Sequence, residues 1–166
     1  MKKFYSVLVV TVALLVLVSM DKVVAAERSE NQTRLLFPFV SNQGGFDTGI
    51  AIANTTADPF GTTEMEGTCA VHYFGAMAVG GYPPPPQTTA VIPAGGMVTF
   101  AISQGGVPGS AHSAAGFQGY IIAVCDFPLA HGFYIVSDLG LKIATSGHAL
   151  VLPSKRKTSV IESRGQ

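Results

Sequence analysis

The chain has 166 residues, only 12% of them charged, and its 10 basic and 10 acidic residues balance to a formal net charge of zero. The balance is uneven: no Lys or Arg lies between Arg34 and Lys142, whereas Asp47, Asp58, Glu64, Glu66, Asp126 and Asp138 do. A body this acidic has no cation cluster to grip a phosphate backbone, which excludes nucleic acid as its partner.

Residues 1–26 read as an export signal. Lys2 and Lys3 form a basic start, Val7 to Val18 an apolar run too short for a comfortable membrane span, and Val24 and Ala26 supply small residues before a cleavage point. The signal looks bacterial, and it implies a secreted, periplasmic or cell-surface protein that meets a membrane only during export. Residues 27–33 form a polar leader, 34–153 one domain and 154–166 a basic flexible tail containing Lys155, Arg156, Lys157 and Arg164.

Within the domain, short β-type runs alternate with Gly, Pro, Asn and Ser. Strands are expected at about 34–41, 48–54, 67–74, 88–93, 96–103, 118–126, 131–138 and 148–153. Pro38 interrupts the first of these, which suits an edge strand or a segment added to another sheet edge. "PAGG", Pro93 to Gly96, reads as a tight hairpin turn. Tyr82 to Pro86, "YPPPP", has to run as an extended proline-rich piece. No helical period of useful length occurs after the signal. Eight short strands predict an all-β chain, a single antiparallel β-sandwich.

Strand parity sets which side chains share a face. If Cys69 points into the core, Val71 and Tyr73 follow it, and His72 faces out. Cys125, Ala123 and Ile121 share one face, but Tyr120, Ile122 and Val124 make the opposite face apolar as well. In the next strand, read as the second arm of a hairpin, Tyr134 and Val136 are placed outward. A sandwich strand that is apolar on both faces implies a cover, either a loop of the same chain or another subunit. Pro38, Phe39, Tyr120, Ile122, Val124, Tyr134 and Val136 are therefore the interface candidates.

Cys69 and Cys125 are the only cysteines. An even pair in an exported protein reads as a disulfide, closing a long loop. Zinc on Cys69, His72, Cys125 and His131 is the sharper alternative, but residues three apart on a strand point to opposite faces. No metal or cofactor is expected. Catalysis has thin material: His131, His112, Ser137 and Asp138 occur without a nucleophile elbow. Glu64 and Glu66 do not resemble a glycosidase pair, and Asp58, Glu64 and Glu66 lack the Gly spacing of a calcium loop. Asp58, Glu64, Glu66 and Tyr82 are kept as loop residues for a glycan or small-ligand module, although the chain has no Trp. Sequons occur at Asn31 and Asn54 and are discounted for a bacterial signal.

The phrases "LLFPFVSNQGGFDTGIAIANTTADPFGT", "GTCAVHYFG" and "GFQGYIIAVCDFPLAHGFYIVSD" resemble, in this order, a group of uncharacterised bacterial exported β-domain proteins and modules. The resemblance spans about Leu35 to Pro153. It implies an exported β-domain in which Cys69 and Cys125 recur as a pair, and it attaches no activity. The arrangement is also similar to immunoglobulin-like sandwiches. It lacks their core Trp, and Tyr120 stands five residues before Cys125, not two. The expected function is a non-enzymatic structural or surface protein. It would self-associate or dock on another envelope component through an apolar sheet face or edge strand. A hydrolase is the remaining alternative.

Overall fold

The structure, a computed structural model, describes residues 31–107, 110–138, 140 and 142–153. The export signal, the start of the polar leader and the basic tail lie outside them. Among the described residues there is no helix. Ten strands make two antiparallel five-stranded sheets.

The strands are β1 (Thr33–Ser41), β2 (Phe46–Asn54), β3 (Cys69–Met77), β4 (Gln87–Thr88), β5 (Met97–Ala101), β6 (Gly105–Gly106), β7 (Phe117–Cys125), β8 (Ala130–Asp138), β9 (Ala144–His148) and β10 (Leu150–Leu152). The first sheet runs β10-β1-β7-β3-β4 and the second β6-β5-β2-β8-β9. This is the all-β sandwich expected from the strand spacing. Alternation explains most of it: Ile50 and Ile52 of β2, Cys69, Val71 and Tyr73 of β3, and Phe117, Ile121, Ala123 and Cys125 of β7 all point inward and are buried. Leu35 and Phe37 of β1 join them, with Ile92, Ile102 and Phe127 from the loops. Each fully buried Val, Leu, Ile or Phe among them contributes roughly 1.5–3 kcal/mol.

Four expectations are corrected. First, β1 is not an edge strand; it pairs with β7 on one side and with β10 on the other, within its own chain. Pro38 is tolerated because the register shifts between Phe37 and Val40, and because β10 reaches only Arg34 to Leu36. The bulge resets the side-chain alternation, so that Val40 points inward again.

Second, β7 and β8 do not form a hairpin. The link from Asp126 to Leu129 arches from one sheet to the other, held where Leu129 O accepts from the Thr55 N–H (3.2 Å) and hydroxyl (2.8 Å). Asp126 fastens the same arch by accepting from the Thr68 N–H at 2.6 Å. Third, "PAGG" does turn, with Gly96 N–H donating to Pro93 O at 2.8 Å, but it too joins strands of different sheets. Of the run 88–93, only Thr88 lies in a strand, while Ile92 makes an isolated bridge to Gly67. Fourth, the run at 148–153 divides. His148 ends β9 in the second sheet, Ala149 donates its N–H to Gly132 O at 2.8 Å, and Leu150 begins β10 in the first.

The disulfide is formed, with Cys69 and Cys125 directly opposite each other on neighbouring strands and both fully buried. It ties β3 to β7 inside one sheet, whereas the immunoglobulin bridge crosses between sheets.

Candidate functional site: two uncovered apolar sheet faces

Polar side chains of the body are spent on holding loops. Asp47 accepts from the Asn42 amide (3.1 Å), the Thr48 N–H (2.8 Å) and the Ser103 N–H and hydroxyl (3.2 and 2.5 Å), pinning the β1–β2 turn to the loop after β5. Asp138 accepts from the N–H groups of Lys142 and Ile143. Asp58 accepts from the Thr62 hydroxyl and the Phe60 N–H, and these bonds hold its carboxyl below the usual carboxylate range. Asn54, buried, donates to Met65 O and Ile92 O and accepts from the Thr56 N–H and hydroxyl, anchoring the long loop after β2.

The catalytic raw materials do not converge: His112 bridges Gly105 at the β6 edge of the second sheet, with β5 and β2 between it and Ser137 and Asp138 of β8. His131 and Asp138 sit at opposite ends of β8, about 23 Å apart along an extended strand. His72 lies on the outer side of the first sheet, and His131 and His148 on that of the second. Among the described residues no group of three His, Cys, Asp or Glu side chains is placed to hold a metal ion. The ligand-loop candidates also separate. Asp58, Glu64 and Glu66 follow the end of β2, whereas Tyr82 follows the end of β3, and the topology puts these at opposite ends of the sandwich.

The outer faces carry the larger apolar surfaces. On the first sheet, Tyr120, Ile122 and Val124 of β7 stand between Leu36 of β1 and Phe74 of β3. Tyr120 stacks on Phe74, with ring centroids 5.0 Å apart and planes 10° apart. Pro38 and Phe39, thrown outward by the bulge, line a groove with Tyr120. Five of the seven interface candidates are thus gathered on this side. Arg34 and His72 border it.

Tyr134 and Val136 are the exceptions, and they are corrected here. Val136 is 4% exposed and turns inward, and Tyr134 packs on the core, its ring edge-on to Phe37 with centroids 6.2 Å apart. The inward positions of β8 begin with Ala130 and Gly132, because Phe37 fills the space above Gly132. Phe133 and Ile135 consequently face outward on the second sheet, 41% and 39% exposed.

That second face was missed in the sequence. Its centre is floored by small residues, Gly49 and Ala51 of β2 with Thr99 and Ala101 of β5, and walled on one side by Phe133 and Ile135. The far wall is Gln104 to Val107, and the groove measures about 590 Å³. "GIAIA" held the signal, since its bulky residues all fall on one parity and its small ones on the other. Comparison with family models, with curated proteins and with solved structures returned no match.

Proposed function

We propose that the protein is a non-enzymatic structural or surface component of an oxidising extracytoplasmic compartment, working by burying its outer sheet faces against protein, either its own copies or another envelope component. One observation carries the reading: Phe74 and Tyr120 on one sheet, and Phe133 and Ile135 on the other, are all exposed on strands whose inner faces already form the core. A solvated sheet face ordinarily carries polar side chains, and contiguous apolar patches on a soluble protein mark interaction sites. The aspartates that could serve chemistry are instead committed to backbone N–H groups at Asp47, Asp58, Asp126 and Asp138. The buried Cys69–Cys125 bridge supports the compartment, because such bonds persist where thiols are not kept reduced.

Expression with its own N-terminal segment, followed by fractionation and N-terminal sequencing, tests export; a mature start at Glu27 is expected. In the same cells, zero-length cross-linking should trap the protein in a discrete adduct with itself or with one envelope protein. A chain that stays in the cytoplasm, or one that is monomeric in solution and yields no adduct, refutes the proposal.

A further inference from the structure

The two outer faces differ in one respect that decides what each can meet. The first carries Arg34 among its outward positions, and histidines stand on both faces, His72 on the first and His131 and His148 on the second. On the second, the outward positions of β2 from Gly49 to Ala53, of β5, and of β8 from His131 to Ile135 include no Lys, Arg, Asp or Glu. They also have relief. A ridge of Phe133 and Ile135 runs along β8, and a trough over Gly49, Ala51, Thr99 and Ala101 lies immediately beside it, with Ile135 leaning to within 3.4 Å of a side chain placed at Gly49.

A ridge beside a trough on one surface is self-complementary. A two-fold axis lying in the interface along the strands, midway between the two features, seats each ridge in the other copy's trough, as an isologous interface requires. Sheets packed face to face keep their strands within about 30° of one another, which this axis permits. Over the stretch from Gly49 to Ala53, β5, and His131 to Ile135, two such faces bring no Lys, Arg, Asp or Glu together. The size is also sufficient. About 30 strand residues at a rise near 3.3 Å and a spacing near 4.8 Å present roughly 500 Å² of flat area per copy. Two copies then reach the roughly 1,000 Å² a specific interface needs, before side-chain relief is added.

We infer that a second copy of this chain covers the outer face of the second sheet, forming a two-fold dimer in which Phe133 and Ile135 of each copy fill the trough of the other. The inference rests on the reading of these faces as protein-binding, and it fixes the occupant and the face.

Light scattering coupled to size exclusion, on the chain as its host exports and processes it, tests it directly. The expected mass is twice that of the monomer, unchanged in high salt because no charge pair holds the interface. Ile135→Glu puts a charge on the ridge, and Thr99→Arg, at an exposed position, blocks the trough. Each should weaken dimerisation by at least about 30-fold, the loss typical of a central hot spot. Thermal melts monitor folding, and Phe133→Ala, which adds no charge, stands in if Ile135→Glu melts early. Ile122→Glu, on the first sheet, should leave the dimer intact. A dimer broken by Ile122→Glu but not by Ile135→Glu or Thr99→Arg overturns the inference and leaves the general reading in place. A monomer at all concentrations also overturns it, and the cross-linking of an envelope partner then decides the general reading separately.

Discussion

Phe37 of the first sheet reaches across the core and occupies the space where residue 132 of the second sheet would carry a side chain. A Cβ at Gly132 would lie 2.7 Å from the end of that ring and 2.7 Å from the Ala149 Cβ. Phe37 is fully buried and cannot swing away. Gly132→Ala should therefore cost about 1–3 kcal/mol, the usual range for overpacking, read as a lower urea midpoint. Phe37→Leu in the same chain should recover part of the loss, giving a coupling free energy between the two sites. Additive effects would show that the ring is not what Gly132 accommodates.

Asn54 leads to the second prediction. Its side chain is 1% exposed and bonds Met65 O at 2.6 Å, Ile92 O at 3.1 Å and the Thr56 N–H at 3.1 Å. Asn54→Ala leaves the buried Thr56 N–H without its acceptor, at about 1–3 kcal/mol, whereas Met65 O keeps the Thr56 hydroxyl and Ile92 O keeps the Gly67 N–H. The variant should lose about 1–3 kcal/mol and expose the loop after β2 to limited proteolysis. Asn54→Asp keeps the acceptor but aims a buried carboxylate oxygen at Met65 O and Ile92 O, and should be no more stable than alanine at neutral pH.

The disulfide closes a loop between residues 56 apart in sequence, for which chain entropy predicts about 4 kcal/mol. Replacing both cysteines by alanine should lower the melting temperature by roughly 10–20 °C in a domain of this size. The sheets should still form in the cold, because β3 and β7 pair along nine positions from Cys69 to Met77. A double variant that melts with the wild type would show that this ladder alone restrains the chain.

Tyr73 makes stability depend on alkaline pH. It is buried, its hydroxyl 3.2 Å from the Gln87 side-chain oxygen, and burial pushes its pKa from 10.0 up to about 12. The folded state thus keeps the proton that the unfolded chain gives up first. The contribution is whole below pH 10 and is lost as pH rises to about 12, at most roughly 3 kcal/mol in all. Urea midpoints between pH 9 and pH 12 should fall more steeply for the wild type than for Tyr73→Phe.

Strand existence was legible because β2 and β3 alternate and β7 is a short apolar run set off by glycine. With Cys69 turned inward, the sides of Val71 and Tyr73 follow from parity. Sheet membership was not. A four-residue link such as Asp126 to Leu129 serves a hairpin or an arch equally well, and the difference lies in partners far away in sequence. The inward side of β8 was hidden for the same reason. Both of its sides are apolar, and Ala130 and Gly132 look like the lesser face until Phe37 is placed over them. Pro38 was read correctly as a break in pairing, but a bulge satisfies that break as well as a sheet edge does.

The placement of β1 between β7 and β10 has a consequence for the order of synthesis. Among the described strands β1 is made first; it has no ladder partner until residues 117–125 exist, and its second edge closes only when Leu150 to Leu152 arrive. Nothing in the first hundred residues can complete the first sheet. The first sheet must therefore stay open until nearly all of the domain has been delivered, although β2 and β5 can pair earlier. Its folding is slow by topology, since its ladders join strands distant in sequence.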